Sequence, residues 1–135
     1  MSTTSAQPRP AAPPKRPTIL LVDDDKNTRE LFRSSLREQG YDVLAAADGE
    51  SALQICRLHR GPIQLLIADA VMPKMSGTQV AKQILALRPT IKVLYISGFV
   101  KDIVMRGTLR PVDGFLAKPF STERLAEKIE ELLSA

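Results

Sequence analysis

The sequence predicts a doubly wound α/β fold of the (βα)5 type, in which helices cover both faces of a five-stranded parallel sheet. Short apolar segments of strand length alternate with amphipathic segments of helix length from Thr18 onward. Several apolar segments are continuous rather than alternating, which is typical of strands that are buried on both faces. Regular alternation of strand and helix implies right-handed crossovers, and therefore a mostly parallel sheet.

Five segments are predicted to form the strands. In chain order they are TILLVD, YDVLAAA, IQLLIAD, IKVLYIS and DGFLAKP. The first is a continuous apolar run, the third is expected to be fully buried, and the fifth is short.

Five further segments are predicted to form the helices. In chain order they are KNTRELFRSSLREQG, DGESALQICRLHRG, SGTQVAKQILALRP, FVKDIVMRG and STERLAEKIEELLSA. The fourth is short and weakly patterned, and the last is amphipathic. The first is expected to bury one face, formed by Leu31, Phe32, Ser35, Leu36 and Gln39.

Local signals predict where the helices begin and end. A stripe from Leu53 to Cys56 is expected to face the core in the second helix. The boundary residues are Gly40 at the end of the first helix, Asp48 and Gly61 at the two ends of the second, Pro89 at the end of the third and Ser121 at the N-cap of the last.

The length of 135 residues suits one domain. Residues 1–17 are rich in Pro, Ser, Thr and Ala and include five of the ten prolines. With no large apolar residue after Met1, they are predicted to form a disordered tail or linker. The ordered domain is predicted to span residues 18–135.

Charge and composition exclude several classes. Of the net charge of +4, the tail supplies three positive charges, and the remaining 118 residues carry 16 basic and 15 acidic side chains. They show no basic stripe with interleaved aromatics, so no direct nucleic-acid contact is expected. The chain has no apolar run of about 18 residues and no signal-peptide core, so neither membrane insertion nor secretion is expected. The single cysteine, Cys56, is expected to be a small buried hydrophobe, consistent with a cytoplasmic location.

Polar residues follow four of the predicted strands. They are Asp23, Asp24 and Asp25 after the first strand, Asp69 at the end of the third, Ser97 at the end of the fourth and Lys118 at the end of the fifth. The carboxyl ends of parallel strands share one edge of the sheet, where ligands bind. Because clustered carboxylates repel one another, a hard cation is expected to neutralise them, and Mg²⁺ prefers oxygen ligands.

In this order, the segments LLVDDD, IADAVMPKMSG, VLYISG and FLAKPF resemble the receiver domain of response regulators in two-component signalling. The resemblance extends over roughly residues 18–134. It implies a flavodoxin-like receiver fold with strand order 2-1-3-4-5.

The resemblance also implies roles for individual residues. Asp69 would be the phosphoacceptor, whose carboxylate attacks phosphorus and forms an acyl phosphate. Asp24 would bind Mg²⁺ directly and Asp23 would bind it through water, while Asp69 and the backbone carbonyl of Val71 would complete the protein's ligands. The apolar side chain of Val71 predicts slow hydrolysis of the phosphorylated form, since it cannot orient a water molecule.

Three further residues would complete the switch. Lys118 would pair with one phosphoryl oxygen, and the Ser97 hydroxyl would move to bind another. Phe115 would be the aromatic switch that turns inward when Ser97 moves, and Pro119 would follow a cis peptide bond.

Structural interpretations are also open for these positions. Asp25 is expected to cap the first helix rather than to bind metal. Lys118 could be a surface lysine, Ser97 a turn residue and Phe115 a plain core residue. The one histidine, His59, is expected to be a solvated cation near a helix end.

The implied function is a signalling switch that is not an enzyme beyond its own phosphorylation and dephosphorylation. The phosphodonor would be a histidine kinase or a histidine phosphotransfer protein, which would meet the surface around Lys26, Asn27, Arg29 and Glu30. The downstream target is an unidentified protein, expected to contact a region that carries Lys101, Arg106 and Arg110. A phosphorylation-dependent homodimer stays open.

Two versions of this function are considered. The chain ends directly after the last predicted helix, so no output domain is expected, and the initial Met and long tail favour a stand-alone regulator. However, VLYISGF and FLAKPFSTERL are similar to receivers of hybrid histidine kinases, so the alternative is a receiver excised from such a kinase.

Two other function classes are weaker. The Asp-x-Asp pattern in DDDKN would fit an aspartate-nucleophile phosphatase with Asp23 as nucleophile, but the chain is short for that fold and Asn27 is atypical. A pseudo-receiver that binds partners without phosphorylation is disfavoured, because every residue type that the chemistry needs is present.

Overall fold

The computed structural model describes residues 16–98 and 110–134, which contain five strands and four helices. The strands are β1 (Thr18–Val22), β2 (Asp42–Ala46), β3 (Leu65–Asp69), β4 (Lys92–Ser97) and β5 (Gly114–Ala117). The helices are α1 (Lys26–Glu38), α2 (Gly49–Leu58), α3 (Gly77–Leu87) and α4 (Thr122–Ser134). Residues 1–15 of the predicted tail, and the predicted fourth helix with Lys101 and Arg106, lie outside the described residues.

All four strand pairings in the sheet are parallel, and the strand order is β2-β1-β3-β4-β5. This confirms the predicted fold class and strand order. The order reverses at β1, which lies between β2 and β3. Such a reversal sends successive helices to opposite faces of the sheet and opens a crevice at the carboxyl ends of the strands.

The core has one layer on each face of the sheet. Alternate residues of β1 enter different layers: Leu20 and Val22 join the side chains of α2 and α3, whereas Ile19 and Leu21 join those of α1 and α4. All four are fully buried, which explains why the segment is continuously apolar. Each such side chain contributes about 1.5–3 kcal/mol of transfer free energy to folding.

Short polar side chains cap the helices as the sequence predicts. Asp25 and Asp48 accept hydrogen bonds from the backbone amides of Thr28 and Ser51 at the starts of α1 and α2. The Ser121 hydroxyl accepts one from the Arg124 amide at the start of α4. The reciprocal capping box that begins α3 was not predicted, although Ser76 and Gln79 have the required spacing.

The α1 prediction was wrong about two residues of its buried face. Leu31 is 62% exposed, and Gln39, which follows the helix, is also exposed. The side chains that turn inward are Phe32 and Leu36, which are four residues apart and therefore lie one above the other. Leu31 is rotated by about 100° from Phe32 and so faces solvent. Gly40, in contrast, adopts the positive φ of 101° that favours glycine at a helix end.

The second helix ends three residues before the predicted stop at Gly61. Its last residue is Leu58, and His59 has extended backbone angles. The chain that follows is held by Arg88, whose guanidinium donates to the carbonyl oxygens of Cys56, His59 and Gly61. A contact from the residue that follows α3 therefore decides this boundary. Cys56 is buried, as predicted.

Two residues that the prediction assigned to the tail contact the domain. The Pro17 carbonyl accepts a hydrogen bond from the Asp42 amide, and Arg16 donates to the Gly40 carbonyl. Between residues 16 and 98 and between 110 and 134, no helix combines the length and apolar character that a bilayer crossing requires.

Candidate functional site

The candidate site lies at the carboxyl edge of the sheet, beside the point where the strand order reverses. Asp69 ends β3 opposite Ile96 of β4, and Ser97 ends β4 opposite Ala117 of β5. Asp23 directly follows β1, and Lys118 directly follows β5. The parallel register therefore brings together residues that are as far as 95 positions apart in the sequence.

Three carboxylates converge at this edge. Asp23, Asp24 and Asp69 each offer an oxygen atom, and these atoms all lie within 4.8 Å of one another. Asp23 and Asp69 are buried, whereas Asp24 is exposed. Such a concentration of negative charge is unfavourable unless cations balance it.

Asp23 is the most deeply buried of the three. One of its oxygens, Oδ1, accepts a hydrogen bond of 2.9 Å from the Asp25 amide. The other, Oδ2, is buried and has no hydrogen-bond partner within the described part of the chain. Burial raises the pKa of Asp23, although the Asp25 amide and the Lys118 ammonium oppose the shift.

Lys118 supplies positive charge beside the carboxylates. Its Nζ lies 3.4 Å from Oδ2 of Asp69 and 3.7 Å from Oδ2 of Asp23. Its backbone amide donates to the Ser97 carbonyl oxygen over 2.7 Å, which fixes the lysine next to the end of β4. The peptide bond between Lys118 and Pro119 is cis, as the resemblance implied.

Asp69 presents its two oxygens to different partners. Oδ1 accepts a 3.0 Å hydrogen bond from the Val71 amide, and Oδ2 faces Lys118. The Val71 side chain is 49% exposed at the mouth of the site. Only 8% of Asp69 is exposed, so neighbouring groups cover most of this residue.

The two predicted switch residues lie on neighbouring strands. Ser97 is buried at the end of β4. Phe115 is half-buried in β5, where it pairs in register with Tyr95 and packs against the core layer that contains it. This position is compatible with both predictions for Phe115, since the ring is neither fully packed nor fully exposed.

Asp25 has the capping role expected of it. Its carboxylate accepts hydrogen bonds from both the hydroxyl and the amide of Thr28, and these bonds lower its pKa. Asp25 does not belong to the group of converging carboxylates in the described residues.

The acidic residues fit a small hard cation. Their donor atoms are all oxygens, and the buried Oδ2 of Asp23 has no hydrogen-bond partner among the described residues, a position that a cation or its water shell would fill. Mg²⁺ is bound in proteins by one or two carboxylates together with waters and phosphate oxygens. The donor set and its exposed member, Asp24, therefore match the requirements of Mg²⁺.

Two residues beside the site, Arg29 and Gly77, make contacts that were not predicted from the sequence. Arg29 donates from Nη1 to the Asp23 carbonyl oxygen over 2.8 Å. Gly77, at the start of α3, packs so closely on Asp69 that an added Cβ would lie 2.3 Å from the Asp69 carbonyl oxygen. The glycine of KMSG, before a predicted helix, was a usable signal for Gly77, whereas the contact of Arg29 has no sequence signature.

Comparison with known proteins shows the family to which the chain is similar. A family model described as the response regulator receiver domain matches residues 19–130. The chain is 35% identical over 118 residues to the response regulator receiver protein CpdR of Brucella abortus (strain 2308), an alignment that covers 87% of this chain and 97% of CpdR. It is 36% identical over 119 residues to the sensor kinase CckA of the same strain, covering 86% of this chain but 12% of the kinase.

Solved structures show the same similarity. A response regulator receiver protein from Sinorhizobium medicae WSM419 superposes with a TM-score of 0.81 at 28% identity, covering 90% of this chain and 97% of that one. The receiver domain of the hybrid histidine kinase CckA superposes with a TM-score of 0.73 at 36% identity, covering 86% and 98%. The family model matches most of the sequence, and the strand order and the acidic edge are consistent with that match. The chain belongs to the response regulator receiver domain family.

Proposed function

We propose that this protein is a phosphorylation-activated signalling switch that accepts a phosphoryl group on Asp69 in the presence of Mg²⁺. The observation that carries the proposal is the convergence of three carboxylates and Lys118 at one edge of the sheet. Phosphoryl transfer depends mainly on positioning and on neutralisation of charge, and these side chains are suited to both tasks.

The phosphodonor is proposed to be a phosphohistidine of a histidine kinase or of a histidine phosphotransfer protein. A bond forms between an Asp69 carboxylate oxygen and phosphorus, while the bond between phosphorus and the imidazole nitrogen breaks. The electron pair stays on that nitrogen, which takes up a proton. The product is an acyl phosphate on Asp69.

The chain's own residues supply the rest of the site. Asp23, Asp24, Asp69 and the Val71 carbonyl would hold Mg²⁺, which when bound neutralises charge as the phosphoryl group approaches. Lys118 would bind a phosphoryl oxygen, because its ammonium already lies 3.4 Å from Asp69. Ser97, at the end of the adjacent strand, would donate its hydroxyl to another phosphoryl oxygen.

The signal would be read from a change of surface. Movement of the Ser97 hydroxyl toward the phosphoryl group would leave space that the half-buried Phe115 ring can fill. A protein target would then recognise the changed surface around β5 and α4. We propose no turnover other than phosphorylation and dephosphorylation of Asp69 itself, and a cytoplasmic location, which the free thiol of Cys56 fits.

The phosphodonor is proposed to dock beside α1. Lys26, Asn27 and Glu30 are exposed next to the acidic edge and are available to a helical partner. The similarity to the receiver protein CpdR over 97% of its length supports a stand-alone regulator, and the similarity to a segment of CckA supports a receiver joined to a kinase. Both versions use the same chemistry at Asp69.

The test is an amide NMR titration of wild type and of Asp69→Asn, first with Mg²⁺ and then with beryllofluoride, which mimics a phosphoryl group. We expect Mg²⁺ to shift signals near Asp24 in the wild-type protein. Beryllofluoride should then shift Ser97 and Phe115 in the wild type but not in Asp69→Asn. An unchanged wild-type spectrum after both additions would contradict the proposal and would favour a partner-binding domain that works without phosphorylation.

A further inference from the structure

We propose that Arg29 is a positioning residue, which holds the acidic loop, residues 23–25, in the conformation that aims its carboxylates at the cation site. The inference rests on the proposed function in one respect: it takes Mg²⁺ as the cation. It adds a residue outside the group of side chains that would touch the metal or the phosphoryl group.

Arg29 contacts both ends of the acidic loop. From the first turn of α1, its guanidinium Nη1 donates to the carbonyl oxygen of Asp23 over 2.8 Å. Its backbone amide donates to the carbonyl oxygen of Asp25 over 2.9 Å. The side chain is half-buried, and a charge-assisted bond of this length is among the stronger hydrogen bonds in proteins.

The remaining bonds of the loop are local. The Asp25 amide donates to Oδ1 of Asp23, and the Asp25 carboxylate caps α1 through Thr28. The Asp23 amide donates to the Ala46 carbonyl at the edge of the sheet. Of these contacts, only the Arg29 side chain ties the Asp23 carbonyl, at the end of β1, to a residue inside α1.

This connection matters most for Asp24. Asp24 is exposed and lies between the two residues whose carbonyls Arg29 holds. The backbone on either side therefore sets the direction in which the side chain of Asp24 leaves the chain. Without the guanidinium, the Asp23 carbonyl would need another partner, and the peptide between Asp23 and Asp24 would be free to rotate.

A positioning role and an electrostatic role of Arg29 predict opposite changes in Mg²⁺ affinity when Arg29 is replaced. A cation next to the carboxylates repels Mg²⁺, so removal of charge alone should tighten Mg²⁺ binding. Loss of a preorganised loop should weaken it, because ordering must then accompany binding. The sign of the change in affinity thus separates a positioning role from an electrostatic one.

The experiment is a calorimetric titration of Mg²⁺ into the full chain carrying Arg29→Gln, Arg29→Lys or the control Arg33→Gln. Arg33 lies on the same helix and is also half-buried, but it pairs with Glu30 rather than with the acidic loop. Arg29→Gln should weaken Mg²⁺ binding about tenfold, which corresponds to the loss of one hydrogen bond to a charged group. Arg33→Gln should change it less than about twofold.

Arg29→Lys separates charge from geometry further. It keeps the positive charge but replaces the planar fork by a flexible ammonium. We expect its Mg²⁺ affinity to lie between those of wild type and Arg29→Gln. Thermal unfolding of each variant verifies that the titrations are made on folded protein.

A second measurement reports on the loop without metal. Hydrogen exchange of the Asp25 amide, which donates to Asp23, should be faster in Arg29→Gln than in wild type and unchanged in Arg33→Gln. Arg29→Gln protein with wild-type or tighter Mg²⁺ affinity would overturn the inference. If the wild-type protein binds no Mg²⁺, the proposed function fails, and the hydrogen exchange of the Asp25 amide alone tests the role of Arg29. Faster exchange in Arg29→Gln than in wild type supports the positioning role, and unchanged exchange overturns it.

Discussion

At the scale of single residues, the site depends on one position where any side chain is too large. A Cβ on Gly77 would lie 2.3 Å from the Asp69 carbonyl oxygen, 2.9 Å from its carbonyl carbon and 3.0 Å from the Ala70 Cα. All three atoms belong to the backbone, so no flexible side chain can move aside. The start of α3 and the end of β3 can approach this closely because residue 77 is glycine.

We expect Gly77→Ala to displace Asp69 and to weaken beryllofluoride binding. The measurement is a beryllofluoride titration in Mg²⁺, followed by NMR and compared with thermal unfolding. Gly98→Ala is the matched control, because its nearest neighbour would be Lys118 Cδ at an ordinary 3.8 Å. Wild-type affinity in a folded Gly77→Ala protein would show that the contact has no bearing on the site.

Val71 has a separate effect at the mouth of the site. Its amide binds Asp69, and its apolar side chain is half exposed where water would approach the phosphorylated residue. We expect Val71→Asn to hydrolyse its acyl phosphate severalfold faster, since an amide side chain can orient the attacking water. Decay of radiolabelled phosphoprotein measures the rate. The control is Val112→Asn, at a similarly exposed valine before β5, whose phosphorylated form should decay at the wild-type rate. Equal decay rates in wild type and both variants would refute the prediction.

At the scale of elements, Arg88 couples the C-terminal ends of α2 and α3. It follows α3 and donates to three carbonyl oxygens, those of Cys56, His59 and Gly61. Carbonyls at a helix C-terminus need partners and carry partial negative charge, so a guanidinium satisfies both requirements. This contact explains why α2 ends where it does.

We expect Arg88→Met to lower the free energy of unfolding by about 2 kcal/mol, because partly buried carbonyls lose a charged donor. Urea denaturation measures this loss. Arg57→Met is the control, since Arg57 is exposed in the last turn of α2 and should change the free energy by less than about 0.5 kcal/mol. A loss in Arg88→Met no larger than in Arg57→Met would contradict the role of Arg88.

At the scale of the whole molecule, the acidic edge opposes the stability of the metal-free protein. Burial raises the pKa of Asp23, so the folded state holds this proton more tightly than the unfolded chain does. The stability that protonation of Asp23 contributes is fully present below the ordinary carboxyl pKa. It is lost as the pH rises through the raised pKa of the folded state. At neutral pH, the ionised carboxylate of Asp23 therefore lowers the free energy of unfolding.

We predict that Asp23→Asn unfolds at a higher temperature than wild type in EDTA at pH 7. The neutral amide avoids the cost of a buried charge. Added Mg²⁺ should raise the midpoint of the wild type more than that of Asp23→Asn, since a ligand stabilises the folded state more when it binds more tightly. Calorimetry at several pH values measures both effects. A lower midpoint for Asp23→Asn in EDTA would show that Asp23 is stabilising in its ionised form.

By itself, the sequence determined the alternation of elements, the caps at Asp25, Asp48 and Ser121 and the order of polar residues along the chain. These features depend on local periodicity and on short-range hydrogen bonds, which neighbouring residues settle among themselves. The resemblance carried by four short segments added the strand order and the family.

The tertiary structure decided what depends on distant residues. Leu31 is exposed because Phe32 and Leu36 turn inward, and α2 ends early because Arg88 binds its carbonyls. Arg29 and Gly77 contact Asp23 and Asp69 through backbone atoms. The glycine of KMSG marks residue 77 but not its partner, and no side-chain pattern encodes the contact of Arg29. Such contacts arise only after packing of the helices against the sheet has set the distances between elements.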